Sequence, residues 1–176
     1  MKSFKLIALS AAVAIGGFIA ITYSSCGKKD STPANPCKDI VCQNGGTCDS
    51  ATATCMCSTG YEGAHCETIS RTKFVKSWTA SDLVAGSSTP IPYTATIVAG
   101  TTSDVTLVSI GNFSDFFVNA TIATINGSTI TIATQKPDGG KYSVSGTGTL
   151  ANSKITWTYT IDSAGVTHQN YTGTWQ

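Results

Sequence analysis

Beyond Cys66 the chain has no cysteine, and beyond Glu67 it has no glutamate. The first absence excludes disulfides and thiolate metal sites from the rest of the chain. The second removes one of the two residue types that supply paired acid–base carboxylates. Histidine is confined to His65 and His168, and neither belongs to a paired metal-binding motif. Charged residues make up 12% and the net charge is +1, so the strongly basic surface that drives nucleic-acid binding is missing. No phosphate-binding Gly loop and no nucleophile-elbow motif occurs. Thr, Ser, Gly and Asn abound instead, which makes the polar surface largely hydroxyl and amide. This pattern assigns no catalytic residue, no metal ligand and no cofactor, and the chain is expected not to be an enzyme.

Seven cysteines stand at Cys26, Cys37, Cys42, Cys48, Cys55, Cys57 and Cys66, so pairing in an oxidising compartment leaves one over. Lys2 and Lys5 precede an apolar run from Leu6 to Ile21, broken only by Ser10, as in a secretory leader. The run is shorter than the roughly 20 residues of a spanning helix. Tyr23, Ser24 and Ser25 then lead to Cys26. Small residues before a cysteine at the end of such a run resemble the lipobox of bacterial lipoproteins, in the looser form found in Bacteroidota. The resemblance implies a signal peptide over 1–25, diacylglycerol and palmitate-type acylation of Cys26, and a membrane partner reached through that anchor. It also implies export to the bacterial cell envelope, with the outer membrane expected and its periplasmic or surface face left open. The alternative is an uncleaved anchor with Cys26 unmodified, which still exports the remainder because Lys2 and Lys5 favour a cytoplasmic N-terminus. Residues 26–36, "CGKKDSTPANP", are polar, contain Pro33 and Pro36, and read as the lipidated tether.

The next six cysteines follow the spacing C-x4-C-x5-C-x6-C-x-C-x8-C. So short a segment cannot bury enough apolar surface to offset its chain entropy, so cross-links of about 2 to 4 kcal/mol each are expected to hold it. Spacing alone permits 15 connectivities, and a zinc site is the rival use of dense cysteines. With "NGGTC" (44–48) and "GYEGAHC" (60–66), residues 37–67 resemble an EGF-like module. That resemblance implies bridges Cys37–Cys48, Cys42–Cys55 and Cys57–Cys66. Many such modules bind calcium through carboxylates before the first cysteine, but here that place reads "PANPC", without the hard oxygen ligands calcium needs.

From about residue 70 to 176 the pattern changes to alternating segments divided by turn residues, the mark of an antiparallel all-β domain. Strands are predicted near 73–80, 91–98, 104–110, 116–125, 128–134, 142–150, 154–162 and 168–175. "INGS" (125–128) is a hairpin signal centred on Asn126 and Gly127. In "KITWTYTID", Ile155, Trp157, Tyr159 and Ile161 share one face, and Thr156, Thr158, Thr160 and Asp162 the other. The same alternation turns inward Tyr93, Ala95 and Ile97, then Val105 and Leu107, Phe116 and Val118, Ile130 and Ile132, and Tyr142 and Val144. Successive hairpins favour an eight-stranded up-and-down β-barrel, with Trp78 and Trp175 on the strands where it closes. The region is similar in topology to a small lipocalin-like, calycin-type barrel, with Lys76 where lipocalins often carry the Gly of Gly-x-Trp. A two-sheet β-sandwich is the alternative.

Three function classes follow. The first is a non-catalytic envelope lipoprotein whose EGF-like module is a spacer or interaction unit and whose β domain binds a protein, a glycan or a surface. The second is a lipocalin-like carrier of a small apolar ligand. The third is a hydrolase, which needs a Ser-His-Asp set gathered around His168. "DST" (30–32) and two copies of "DSA" (49–51 and 162–164) resemble the O-glycosylation acceptor of Bacteroidota, which makes Ser31, Ser50 and Ser163 candidate acceptors. For the module, calcium titration is expected to leave the melting temperature unchanged; a clear rise would reveal a site that the ligand pattern does not announce.

Overall fold

The computed structural model describes residues 35–163 and 166–176. The first part holds two short hairpins: β1 (Thr47–Asp49) pairs with β2 (Thr54–Met56), and β3 (Tyr61–Glu62) with β4 (Thr68–Ile69). Disulfides join Cys37 to Cys48, Cys42 to Cys55 and Cys57 to Cys66. They take the place of a core, since Cys66 is the only fully buried hydrophobic residue among residues 35–67.

A 3-10 turn, Ser70–Lys73, then leads into eight strands: β5 (Ser77–Val84), β6 (Ile91–Ala99), β7 (Leu107–Gly111), β8 (Thr121–Asn126), β9 (Thr129–Gln135), β10 (Tyr142–Ala151), β11 (Lys154–Ser163) and β12 (Val166–Trp175). Every strand pairs antiparallel with its chain neighbours, and β12 pairs back onto β5, with Trp175 opposite Ala80. The sheet is therefore a closed up-and-down barrel, and the sandwich alternative falls. Closure removes the free strand edges that an open sheet of this length would expose.

The barrel is filled. Trp78, Trp157 and Trp175 are at most 1% exposed and pack with Phe74, Phe113 and the inward isoleucines in one cluster. Glycines opposite the largest rings make the room. One inward row across the sheet reads Ile130, Gly148, Trp157, Gly173, Asp82, and the next reads Ile132, Gly146, Tyr159, Tyr171, Val84. A Cβ at Gly148 would sit 2.8 Å from the Trp157 ring, and one at Gly146 would sit 2.7 Å from the Thr158 carbonyl and the Tyr159 Cα. "SGTGTL" is thus the complement of "KITWTYTID": bulk on β11 requires its absence on β10. A register shift between Val144 and Gly146 adds a bulge at the same point.

The strand pattern differs from the sequence-based expectation in five places. The first strand begins at Ser77, because Ser70–Lys73 and the fully buried Phe74 cross one end of the barrel beforehand. On β7 the inward residues are Val108 and Ile110, with Val105 and Leu107 half-buried in the turn that precedes and opens the strand. Of the expected strand 116–125 only the part from Thr121 is strand, in β8; residues 116–120 are a loop that follows the turn Phe113–Asp115. Asn112, Ser114 and Asp115 have left-handed φ of 56°, 64° and 51°, so period-2 alternation does not carry through. Phe117 points in, whereas Phe116 and Val118 are 43% and 92% exposed. Tyr142, also expected inside, opens β10 at the barrel rim and is 36% exposed. The β8–β9 loop is Gly127–Ser128, one residue later than expected, since Asn126 still pairs with Thr129.

The EGF-like region is docked on the barrel. Ser70 N–H donates to the Gly60 carbonyl, and the Arg71 guanidinium donates to the carbonyls of Asp104 and Leu107, each at 2.9 Å. Gly60, at φ 90°, lies so close to Val105 and Thr106 that a Cβ would meet both. Lys73 bridges Glu62 at 2.6 Å and reaches Ser128 on the barrel. This end of the barrel is called proximal below. For the core, Gly146→Ala is expected to lower the unfolding free energy by about 1 to 3 kcal/mol through overpacking against β11, measured by urea denaturation; an unchanged midpoint would show that β10 can shift away.

Candidate binding site at the barrel mouth

β5 turns Trp78, Ala80 and Asp82 inward, and Asp82 is only 1% exposed. Its carboxylate collects three donors. Tyr93 Oη from β6 and Tyr159 Oη from β11 both donate to Oδ2 at 2.5 Å, and Trp175 Nε1 from β12 donates to Oδ1 at 3.3 Å. Gly173 lies directly opposite, where a Cβ would strike Oδ1. Burial pushes the Asp82 carboxyl above its ordinary value, and the hydrogen bonds from Tyr159, Tyr93 and Trp175 pull the other way without overcoming it. Burial, with the Asp82 charge alongside, also drives both phenols far above the usual tyrosine range, so they remain donors.

The network extends to the distal end. Ser114 N–H donates to Tyr93 Oη at 3.1 Å, and Ser114 Oγ lies 2.7 Å from Tyr159 Oη. With the phenol proton committed to Asp82, the serine hydroxyl is the donor in that second bond. These two bonds hold the left-handed backbone at Ser114 and fix Phe113 inside the barrel, edge-on to Trp157 at 5.3 Å and Tyr159 at 4.8 Å. Tyr171 stacks flat on Tyr159 at 4.7 Å and 4°, and its hydroxyl donates to Gln169 Oε1.

Above this layer lies a depression of about 400 Å³. Ile161 and Tyr171 form its floor; Phe116, Lys141, Tyr142, Ser163 and Gln169 form its rim. Tyr142 meets Phe116 edge-to-face at 4.9 Å, Phe116 packs on the buried Phe117 at 5.0 Å, and Lys141 Nζ sits 5.1 Å from the Tyr142 ring. The loop carrying Phe116 is tied to the β9–β10 loop, because Asp138 accepts from the backbone N–H groups of Val118 and Asn119.

Ser163 falls on the rim of this depression, while Ser50 is exposed in the β1–β2 turn. Cys26 and Ser31 lie outside the described residues. His168 is paired with Asp162 at 2.5 Å on the barrel exterior, and among the described residues no serine hydroxyl bonds to its ring. Among the described residues no cluster of three or more His, Cys, Asp or Glu is placed to hold a metal ion. The Asp82 network was not anticipated, because the first strand was expected to end at residue 80. Carrying the Trp78–Ala80 alternation two residues further brings a carboxylate into the core.

Residues 36–66 match the family model of the EGF-like domain. No curated protein and no solved structure matches the chain. The protein thus combines an EGF-like module with a closed eight-stranded barrel.

The folded-state value of Asp82 lies above its ordinary value of 3.8. The folded chain therefore holds that proton more tightly than the unfolded chain does, and the stability linked to it is complete below the ordinary value and lost as pH rises through the raised one. The exposed carboxyls of Asp49, Glu67 and Asp104 are lowered by local hydrogen bonds, so their contribution has the opposite sign and fades at lower pH. Stability is expected to decline as pH rises above about 4, and Asp82→Asn should flatten that slope in urea melts taken across pH; a variant with the wild-type slope would show that Asp82 does not titrate differently on folding.

Proposed function

We propose that the protein is a non-catalytic, lipid-anchored binding protein of the bacterial cell envelope. In this reading Cys26 carries the lipid, the outer membrane holds the anchor, and residues 26–36 form the tether. The EGF-like module is the spacer, and the barrel is the binding unit for a protein, a glycan or a surface. The observation that carries the assignment of the barrel is its filled interior. A lipocalin-like carrier needs an internal cavity, whereas here Phe113, Trp157 and Trp175 meet at 5.1 to 5.6 Å on the barrel axis. Recognition then falls to the outside, and above all to the depression at the end remote from the module. The isolation of the His168–Asp162 pair on the exterior supports a role without catalysis.

The anchor is supported by the leader pattern and by the odd cysteine, since the six others are consumed in bridges. In cells, maturation of the wild type is expected to be blocked by globomycin, and labelling by a palmitate analogue to vanish in Cys26→Ala. A Cys26→Ala protein that is processed and labelled like wild type would remove the lipid anchor.

A further inference from the structure

We infer that the distal mouth is a saccharide-binding site, in which an exposed pyranose ring lies against Tyr142 and Phe116 and is held by polar contacts to Lys141, Gln169 and Ser163. The inference rests on the proposal that the barrel is the binding unit, and it adds the place and the ligand class.

The shape of the site favours a sugar over an apolar molecule. A site for an apolar ligand encloses most of that ligand's surface, but here the floor is closed by Ile161 and Tyr171, 5% and 8% exposed, and the depression opens outward. A greasy molecule resting there would stay largely wet. A sugar tolerates that arrangement: the C–H face of its ring covers an aromatic side chain, while its outer hydroxyls keep their water. Phe116 and Tyr142 offer such a surface at 43% and 36% exposure, beside an ammonium, an amide and a hydroxyl able to bond to sugar oxygens.

The site is also held rigid, so binding orders little. Tyr142 rests edge-to-face against Phe116, and Phe116 against the buried Phe117. Asp138 ties the Phe116 loop through two backbone N–H groups. Beneath, the Tyr171–Tyr159 stack transmits the Asp82 anchor to the floor, and the Tyr171 hydroxyl orients Gln169 by donating to Oε1, which turns the Gln169 amide N–H groups toward other partners.

A peptide fits less well. Strand addition needs an unpaired edge, and the barrel is closed. Where β8 and β9 separate at Ile122, the Gln135 side chain takes the ladder positions itself, accepting from Ile122 N–H at 2.9 Å and donating to its carbonyl at 2.6 Å.

The test is calorimetry on the full-length protein in detergent, with cellohexaose, xylohexaose, mannohexaose, maltohexaose and trigalacturonate as probes and a tryptic digest of casein as the peptide arm. At least one saccharide is expected to bind. Tyr142→Ala and Lys141→Ala should each weaken that binding at least about tenfold, whereas Val98→Ala, an exposed residue near the proximal end of β6, should not. Three results would overturn the inference: no saccharide binds; saccharide binding is indifferent to Tyr142→Ala and Lys141→Ala; or only the peptides bind in a Tyr142-dependent way. None of them touches the Cys26 labelling experiment, so the sugar site and the lipid anchor fail separately.

Discussion

A carboxylate enclosed in a barrel constrains nearly everything around it. Removing Asp82 from water costs several kcal/mol unless hydrogen bonds replace the lost hydration, and the barrel supplies them from three strands at once. β5, β6, β11 and β12 are thereby tied at one point by bonds that require each strand in its observed register. A slip of one residue on any of them would turn Tyr93, Tyr159 or Trp175 outward and strand the charge. An apolar side chain at this position would pack without setting such a condition. Asp82 is therefore better understood as fixing which barrel forms than as adding net stability.

The same anchor organises the distal end. Tyr93 and Tyr159 each use one side of the phenol oxygen for Asp82 and the other for Ser114. A three-residue turn with two left-handed residues, Ser114 and Asp115, has no intrinsic reason to hold its shape. It holds because its backbone and hydroxyl satisfy oxygens already committed on the other side. Phe113 then closes the barrel axis between Trp157 and Trp175. Eight strands leave room for one small ligand or for side chains, and here side chains occupy the space.

Much of this was written locally in the chain. The alternation of Ile155, Trp157, Tyr159 and Ile161 on β11 could be read directly, as could Ile130 and Ile132 on β9. That the first and last strands close the barrel, with Trp78 and Trp175 on them, was legible; which row faces which was not, because the register of β12 on β5 is set between residues far apart in sequence. Gly146, Gly148 and Gly173 look like weak points of strands until the rings opposite them are known. The mouth was the least legible part. Its phase is set by Asn112, Ser114 and Asp115 in left-handed conformations without glycine, for which residue type gives little warning. The alternation template consequently placed Phe116 inside, and the exposed aromatic surface went unseen.

The two ends of the barrel differ in kind, and that difference gives the molecule a direction. At the proximal end the Ser70–Lys73 turn is bonded both ways: Ser70 N–H donates to the Gly60 carbonyl and Lys73 bridges Glu62 on the module, while Arg71 donates to the carbonyls of Asp104 and Leu107 and Lys73 reaches Ser128 on the barrel. Such contacts to main chain leave little freedom for the module to swing, because the β6–β7 loop is itself held by Asp104, which accepts from Thr106 N–H and Oγ. At the distal end the loops carry aromatic and amide groups that no other described part of the barrel covers. Because the module is docked on the proximal end, the exposed groups of the mouth lie at the opposite end of the barrel from it.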